Sequence, residues 1–91
     1  MANSKNDAVE SARADLAKRL KIDAAGVKER SVDETDFPDM ALGAAESGEM
    51  SGQMLTRGWR IQLEANGQTY EYRADKNQVR AFNFKGKNYR I

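Results

Sequence analysis

The chain has 91 residues, no cysteine, no histidine and a formal net charge of +1. The missing cysteine excludes a disulfide framework and thiolate metal sites, and the missing histidine removes the commonest general base and metal ligand. Charged residues make up 32% and the mean hydropathy is −0.81, with no run approaching the roughly 18 apolar residues of a membrane span. These figures fit a single small domain over residues 1–91, with one modest core, no cofactor and no enzymatic activity.

Residues 1–6 are polar and are expected to fray. They lack the apolar h-region of a secretory signal, so the chain as given reads as cytoplasmic, with export of a processed form left open. Ser4-Lys-Asn-Asp7 has the form of a capping box. Val9, Ala12, Leu16 and Leu20 then recur at helical spacing with Ala8 beside them, and Lys18, Arg19 and Lys21 suit a helix C-terminus. The spacing predicts a helix over 7–20. Ile22 to Gly26 reads as a connector, with Asp23 placed to cap a short turn and Gly26 to end it. A first strand is expected from Val27 to about Asp36. Val27, Val32 and Phe37 lie off a period of two, which predicts a bulge, and the crowding of Lys28, Glu29, Arg30, Asp33 and Glu34 predicts a sheet edge.

Pro38–Gly58 contains four glycines and three of the four methionines, without clear periodicity. A loop this long is either functional or disordered, and Met40, Leu42, Met50, Met54 and Leu55 argue against full disorder. Next comes the clearest signal in the chain: Trp59 to Ala65, Asn66-Gly67, then Gln68 to Ala74. Apolar and polar residues alternate on both sides of a turn pair that favours positive φ, which predicts a two-residue hairpin. Its register sets Ala65 against Gln68, Leu63 against Tyr70, Ile61 against Tyr72 and Trp59 against Ala74. One face, Trp59, Ile61, Leu63, Tyr70, Tyr72 and Ala74, must bury against the helix. The other, Arg60, Gln62, Glu64, Thr69, Glu71 and Arg73, is expected to be wet. Asp75–Gln78 is a second turn. Val79–Lys85 is a strand with Phe82 and Phe84 expected on one face and Val79 and Ala81 on the other. Gly86–Asn88 turns again into a short Tyr89–Ile91 segment. The predicted fold is α+β, an N-terminal helix on an antiparallel sheet of about four strands.

Leu16-Ala-Lys-Arg-Leu20, Phe37-Pro-Asp-Met-Ala-Leu-Gly43, Gly58-Trp-Arg-Ile61 and Tyr70-Glu-Tyr72 together resemble the signatures of a small uncharacterised bacterial α+β domain family, over roughly residues 13–75. The family's Cys-Pro after Leu-Gly is Ala44-Ala45 here and its leading Trp is Phe37, so no role of that cysteine carries over. The resemblance implies fold and loop, with no assigned activity; many relatives look exported or lipid-anchored.

The candidate binding residues lie in and beside the loop: Pro38, Asp39, Met40, Leu42, Gly43, Glu49, Met50 and Arg57. The competing reading has Met40, Leu42, Met54 and Leu55 plug one end of the core, with Asp39 capping a turn. A second candidate is a basic surface of Arg60, Arg73, Arg80, Lys85, Lys87 and Arg90, with Tyr89 or Phe84 to stack on bases. Glu64 and Glu71 interrupt that surface and the net charge is low, so a solvated sheet face is the stronger reading. Asp33, Glu34, Asp36 and Asp39 lack the spacing of a calcium loop. Glu46 and Glu49 have no visible partner to separate their pKa values for catalysis. Charge is uneven along the chain. Residues 22–56 hold eight acids against two bases, and 57–91 hold eight bases against three acids. These halves can meet within one fold or between copies. The expected function is a non-enzymatic module that binds an unidentified protein, protease-inhibitor-like in form, through the 38–58 loop and an edge strand. The alternatives are a nucleic-acid-binding module and a self-associating structural domain. No membrane association is expected, and the chain reads as a monomer or weak homodimer.

Overall fold

In the computed structural model, which describes residues 4–91, Ser4 caps helix α1 (Lys5–Leu20). The Ser4 hydroxyl accepts from the Asp7 N–H at 3.1 Å, and the Asp7 carboxylate accepts from the Ser4 N–H at 3.2 Å. This reciprocal cap starts the helix two residues before the expected position. Of the stretch expected to fray, residues 1–3 lie outside the described residues, and Ser4 to Asn6 belong to the cap and first turn. Lys21 ends the helix in the left-handed region, φ 58°, its N–H turned back to the Ala17 and Lys18 carbonyls. Asp23 caps a 3-10 turn at Ala24–Gly26. Arg13 donates to the carbonyls of Ala24 and Val27, tying this connector to the helix.

Five strands follow: β1 (Lys28–Phe37), β2 (Thr56–Ala65), β3 (Gln68–Asp75), β4 (Gln78–Phe84) and β5 (Lys87–Arg90). They form one antiparallel meander in chain order, so β1 lies at an edge as expected. The count exceeds the expected four because Lys87–Arg90 pairs with β4 as a full strand. The bulge falls between Glu29 and Ser31, at Arg30, and it reconciles Val27 with Val32. The β2–β3 hairpin has the predicted register throughout, with φ 52° at Asn66 and 75° at Gly67. At Gly58 in β2 a Cβ would collide with the Ala74 carbonyl, and the Phe37 ring lies against the same spot.

The helix covers one sheet face. Ala8, Val9, Ala12, Leu16 and Ala17 meet Ile61, Leu63, Tyr72, Ala74, Val79, Ala81 and Phe84 in one buried cluster, with Trp59, Tyr70, Leu20 and Tyr89 half-buried at its margin. Each fully buried Leu or Ile here contributes about 1.5–3 kcal/mol. The Tyr72 hydroxyl donates to Asp15 at 2.7 Å, and Arg19 donates to the same carboxylate oxygen at 2.6 Å. Burial and the Asp15 carboxylate push the Tyr72 phenol well above its usual range, so it stays a donor. The Arg19 guanidinium stacks on Tyr89 at 4.2 Å.

Two expectations are corrected. Phe82 and Phe84 lie on opposite faces, because the β4–β5 register shifts between Ala81 and Phe84 and Asn83 takes φ 53°. Phe84 therefore joins Val79 and Ala81 under the helix, while Phe82 faces away with Glu71 and Arg73. The second face is also not wet along its whole width. Phe37, Ala41, Leu42 and Ala44 are buried there, outside the helix-side cluster, against Arg73, Phe82 and Arg80. The β1–β2 loop folds back over the sheet and forms a third layer.

Candidate functional site

The third layer begins with a tight turn. Pro38 holds the chain after β1 in a fixed φ. One Asp39 carboxylate oxygen accepts from the N–H groups of Ala41, at 2.9 Å, and Gly43, at 3.0 Å. Leu42 takes φ 60° and is fully buried. Gly43 takes φ 65°, and a Cβ there would sit 2.7 Å from the Arg73 guanidinium. A left-handed Leu is a strained conformation held only where the surroundings fix it. Here they do, because the Arg73 guanidinium donates to the Leu42 carbonyl at 3.0 Å.

Two arginines of the supposedly solvated face hold this turn. Arg73 also donates to Glu71 at 2.7 Å and stacks its guanidinium on Phe82 at 3.6 Å. Arg80 is only 1% exposed. It donates to the Ala44 carbonyl at 3.3 Å, to Gln78 at 2.6 Å and to both oxygens of Glu49 at 2.6 Å each. The planar fork matches the carboxylate in this bidentate way. The Arg80 hydrogen bonds, and after them the Glu46 N–H, hold the Glu49 pKa down at about 2. Gln78 donates to the Met40 carbonyl, Asn88 to the Ala45 carbonyl, and the Arg90 N–H to Glu46. Among the described residues no buried side-chain nitrogen or oxygen lacks a partner. The acidic middle and the basic end of the sequence thus meet inside one chain.

The loop changes character after Glu49. The Gly52 carbonyl accepts from the Met40 N–H at 2.9 Å, and the Met54 carbonyl accepts from the Thr56 hydroxyl at 2.9 Å. Along this arm the large apolar side chains point outward: Met50 is 96% exposed, Leu55 69% and Met54 63%. With the 75–78 turn and Trp59, the arm lines an open groove of about 750 Å³ at the sheet end where β3 meets β4. That is the size of a small-ligand or side-chain docking site.

The structure separates the sequence candidates into groups. Asp39, Leu42, Gly43 and Glu49 build or brace the inner loop, although Glu49 also reaches the groove rim. Met40, Met50 and Arg57 line the groove, and Pro38 is exposed next to Gly43 of the inner turn, outside the groove lining. Of the residues expected to plug one end of the core, Leu42 is buried but on the sheet face opposite the helix, and Met40, Met54 and Leu55 are exposed. Of the basic set, Arg73 and Arg80 lie beneath the loop. Arg60 pairs diagonally with Glu71 at 3.5 Å, Lys85 lies in the β4–β5 turn and Lys87 opens β5. Arg90 lines the groove instead. Sequence reasoning missed Lys76 and Trp59 as groove residues, since one sits in a turn and the other on a core-facing strand position. Among the described residues no cluster of three or more Asp or Glu side chains could hold a metal ion, and no helix is long and apolar enough to cross a membrane.

A helix, a five-stranded meander and a bolted loop define the class: a small three-layer α+β domain. The chain belongs to the family described as DUF8738, a domain of unknown function, which it matches over residues 9–82. The match runs from the first turns of α1 into β4 and includes the whole β1–β2 loop, which ends at residue 55 and not at the expected Gly58, because residues 56–58 pair with β1 as the start of β2. No curated protein and no solved structure matches the chain.

Proposed function

We propose that the chain is a non-enzymatic binding module that takes a protein partner on the outer arm, residues 50–55, and the adjoining groove. One observation carries this reading. Met50, Met54 and Leu55 are exposed together, in a loop whose preceding half is fixed to the sheet. Contiguous exposed apolar surface marks interaction sites, and flexible Met side chains suit an adaptable contact. An exposed loop braced by a rigid sheet is also the arrangement of loop-type protease inhibitors, the narrower form of this proposal. We also read the bacterial family with the Pro-Asp-x-x-Leu-Gly loop as the matched family, since both span the same helix, loop and hairpin.

The nucleic-acid reading has less support. Arg73 and Arg80 spend their donors on the loop, and the remaining cations are dispersed. Retention of an oligonucleotide at low salt, weakened by Lys85→Ala or Lys87→Ala, would restore it.

The test compares the intact chain with Met50→Ser/Leu55→Ser as bait in an extract of the source cells, after circular dichroism shows both folded. A protein retained by the intact chain alone supports the reading. Equal retention by both baits removes the arm from recognition.

A further inference from the structure

Accepting the arm as the contact surface, we propose that its partner presents an extended peptide segment that is both apolar and acidic. Its apolar side chains lie on Met50, Met54 and Leu55, and its carboxylates are answered by Lys76 and Arg90. The argument rests on which charges around the groove are already matched. Glu49 is held by Arg80 in a bidentate pair. Glu34 pairs with Arg57 at 3.5 Å. The Asp75 carboxylate is buried and accepts from the Asn77 N–H at 2.7 Å and the Gln78 amide at 3.1 Å. Every groove carboxylate is therefore engaged. Lys76 and Arg90 line the same groove, both are exposed, and among the described residues neither side chain forms a contact ion pair, although Arg90 lies near enough to Glu49 to help lower its pKa.

A basic ligand would have to displace Arg80 from Glu49, or compete with Arg57 for the exposed Glu34, which is the weaker hold of the two. A neutral apolar ligand would gain the Met and Leu contacts and leave Lys76 and Arg90 without a contact partner. An acidic ligand answers them, and complementary charge at a rim acts mainly on encounter rate and selectivity. An extended segment suits an open groove whose lining runs from the arm and the start of β2 to the 75–78 turn and Arg90. The apolar contacts supply affinity and the two cations supply the choice.

The test selects random peptides displayed on phage against the intact chain. Selected peptides are then titrated alongside versions with every Asp and Glu changed to Asn or Gln. Trp59, the sole tryptophan, lines the groove and reports binding by its fluorescence. The expected result is enrichment of acidic apolar peptides, with the amide versions binding roughly tenfold more weakly at low salt. Lys76→Glu/Arg90→Glu should abolish that preference, and Lys85→Glu/Lys87→Glu should leave it intact. Selected peptides without acids, or amide versions that bind equally, overturn the acidic partner and leave the arm as a contact surface. Acidic peptides that bind Met50→Ser/Leu55→Ser as well as the intact chain overturn the inference, because charge alone then explains them. No enrichment over that variant overturns both the inference and the function beneath it.

Discussion

Residues 38–49 and 50–55 follow one another in a single loop, share a content of Met, Gly, Ser and small residues, and end in opposite states. In the inner limb, the carbonyls of Met40, Leu42, Ala44 and Ala45 all accept from side chains of β3, β4 and β5. In the outer arm, one carbonyl accepts from Met40 and another from Thr56, and the apolar side chains face solvent. The contrast shows what orders a loop without regular structure. Composition does not decide it. A supply of charged and amide donors from a rigid neighbour does, because each buried carbonyl needs a partner.

The contrast can be broken most severely at Arg80. Arg80→Ala removes the bidentate partner of Glu49 and the donor to the Ala44 carbonyl, and should cost about 2–3 kcal/mol in urea unfolding, the partly exposed Glu49 carboxylate keeping its bond from the Glu46 N–H. Arg73→Ala should cost about 2 kcal/mol by the same measurement, through the Leu42 carbonyl and the stacking on Phe82. Arg73→Lys should recover little of that, since an ammonium lacks the planar face. Gly43→Ala should cost about 1–2 kcal/mol, because its positive φ and the nearby guanidinium both oppose a Cβ.

Acid offers a milder test of the inner limb. The Glu49 pKa is lowered from 4.5 to about 2, so its stabilisation is complete above about pH 4.5. It declines as pH falls below that value and is gone below about 2. Unfolding midpoints measured from pH 6 to 3 should therefore fall more steeply for the intact chain than for Glu49→Gln. The smallest expected effect on stability lies in the outer arm. Met50→Ser or Leu55→Ser should change unfolding free energy by less than about 0.5 kcal/mol.

Much of the fold was legible because its signals are local. The hairpin register follows from Asn66-Gly67, the helix from Ser4, Asp7 and the Val9–Leu20 spacing, and the bulge from the slip between Val27 and Val32. The reversal of Phe84 was not legible, since it turns on a left-handed Asn83 that no pattern of alternation marks. The candidate site was legible only as a stretch. Which part of the loop is bolted depends on Arg73 and Arg80, more than 30 positions away in sequence for the Leu42 and Ala44 contacts. Those arginines read as solvated because strand alternation places them opposite the core, and alternation says nothing of a loop that returns to cover them.

The division at Glu49 is tested most directly by replacing residues 50–55 with a Gly-Ser linker and measuring two quantities on the same variant: its unfolding free energy and its capture of the partner found with the intact chain. An unfolding free energy within about 1 kcal/mol of the intact chain, with capture lost, is the predicted result. A collapse of stability would make the arm part of the scaffold, and capture that persists would place the contact surface elsewhere on the molecule.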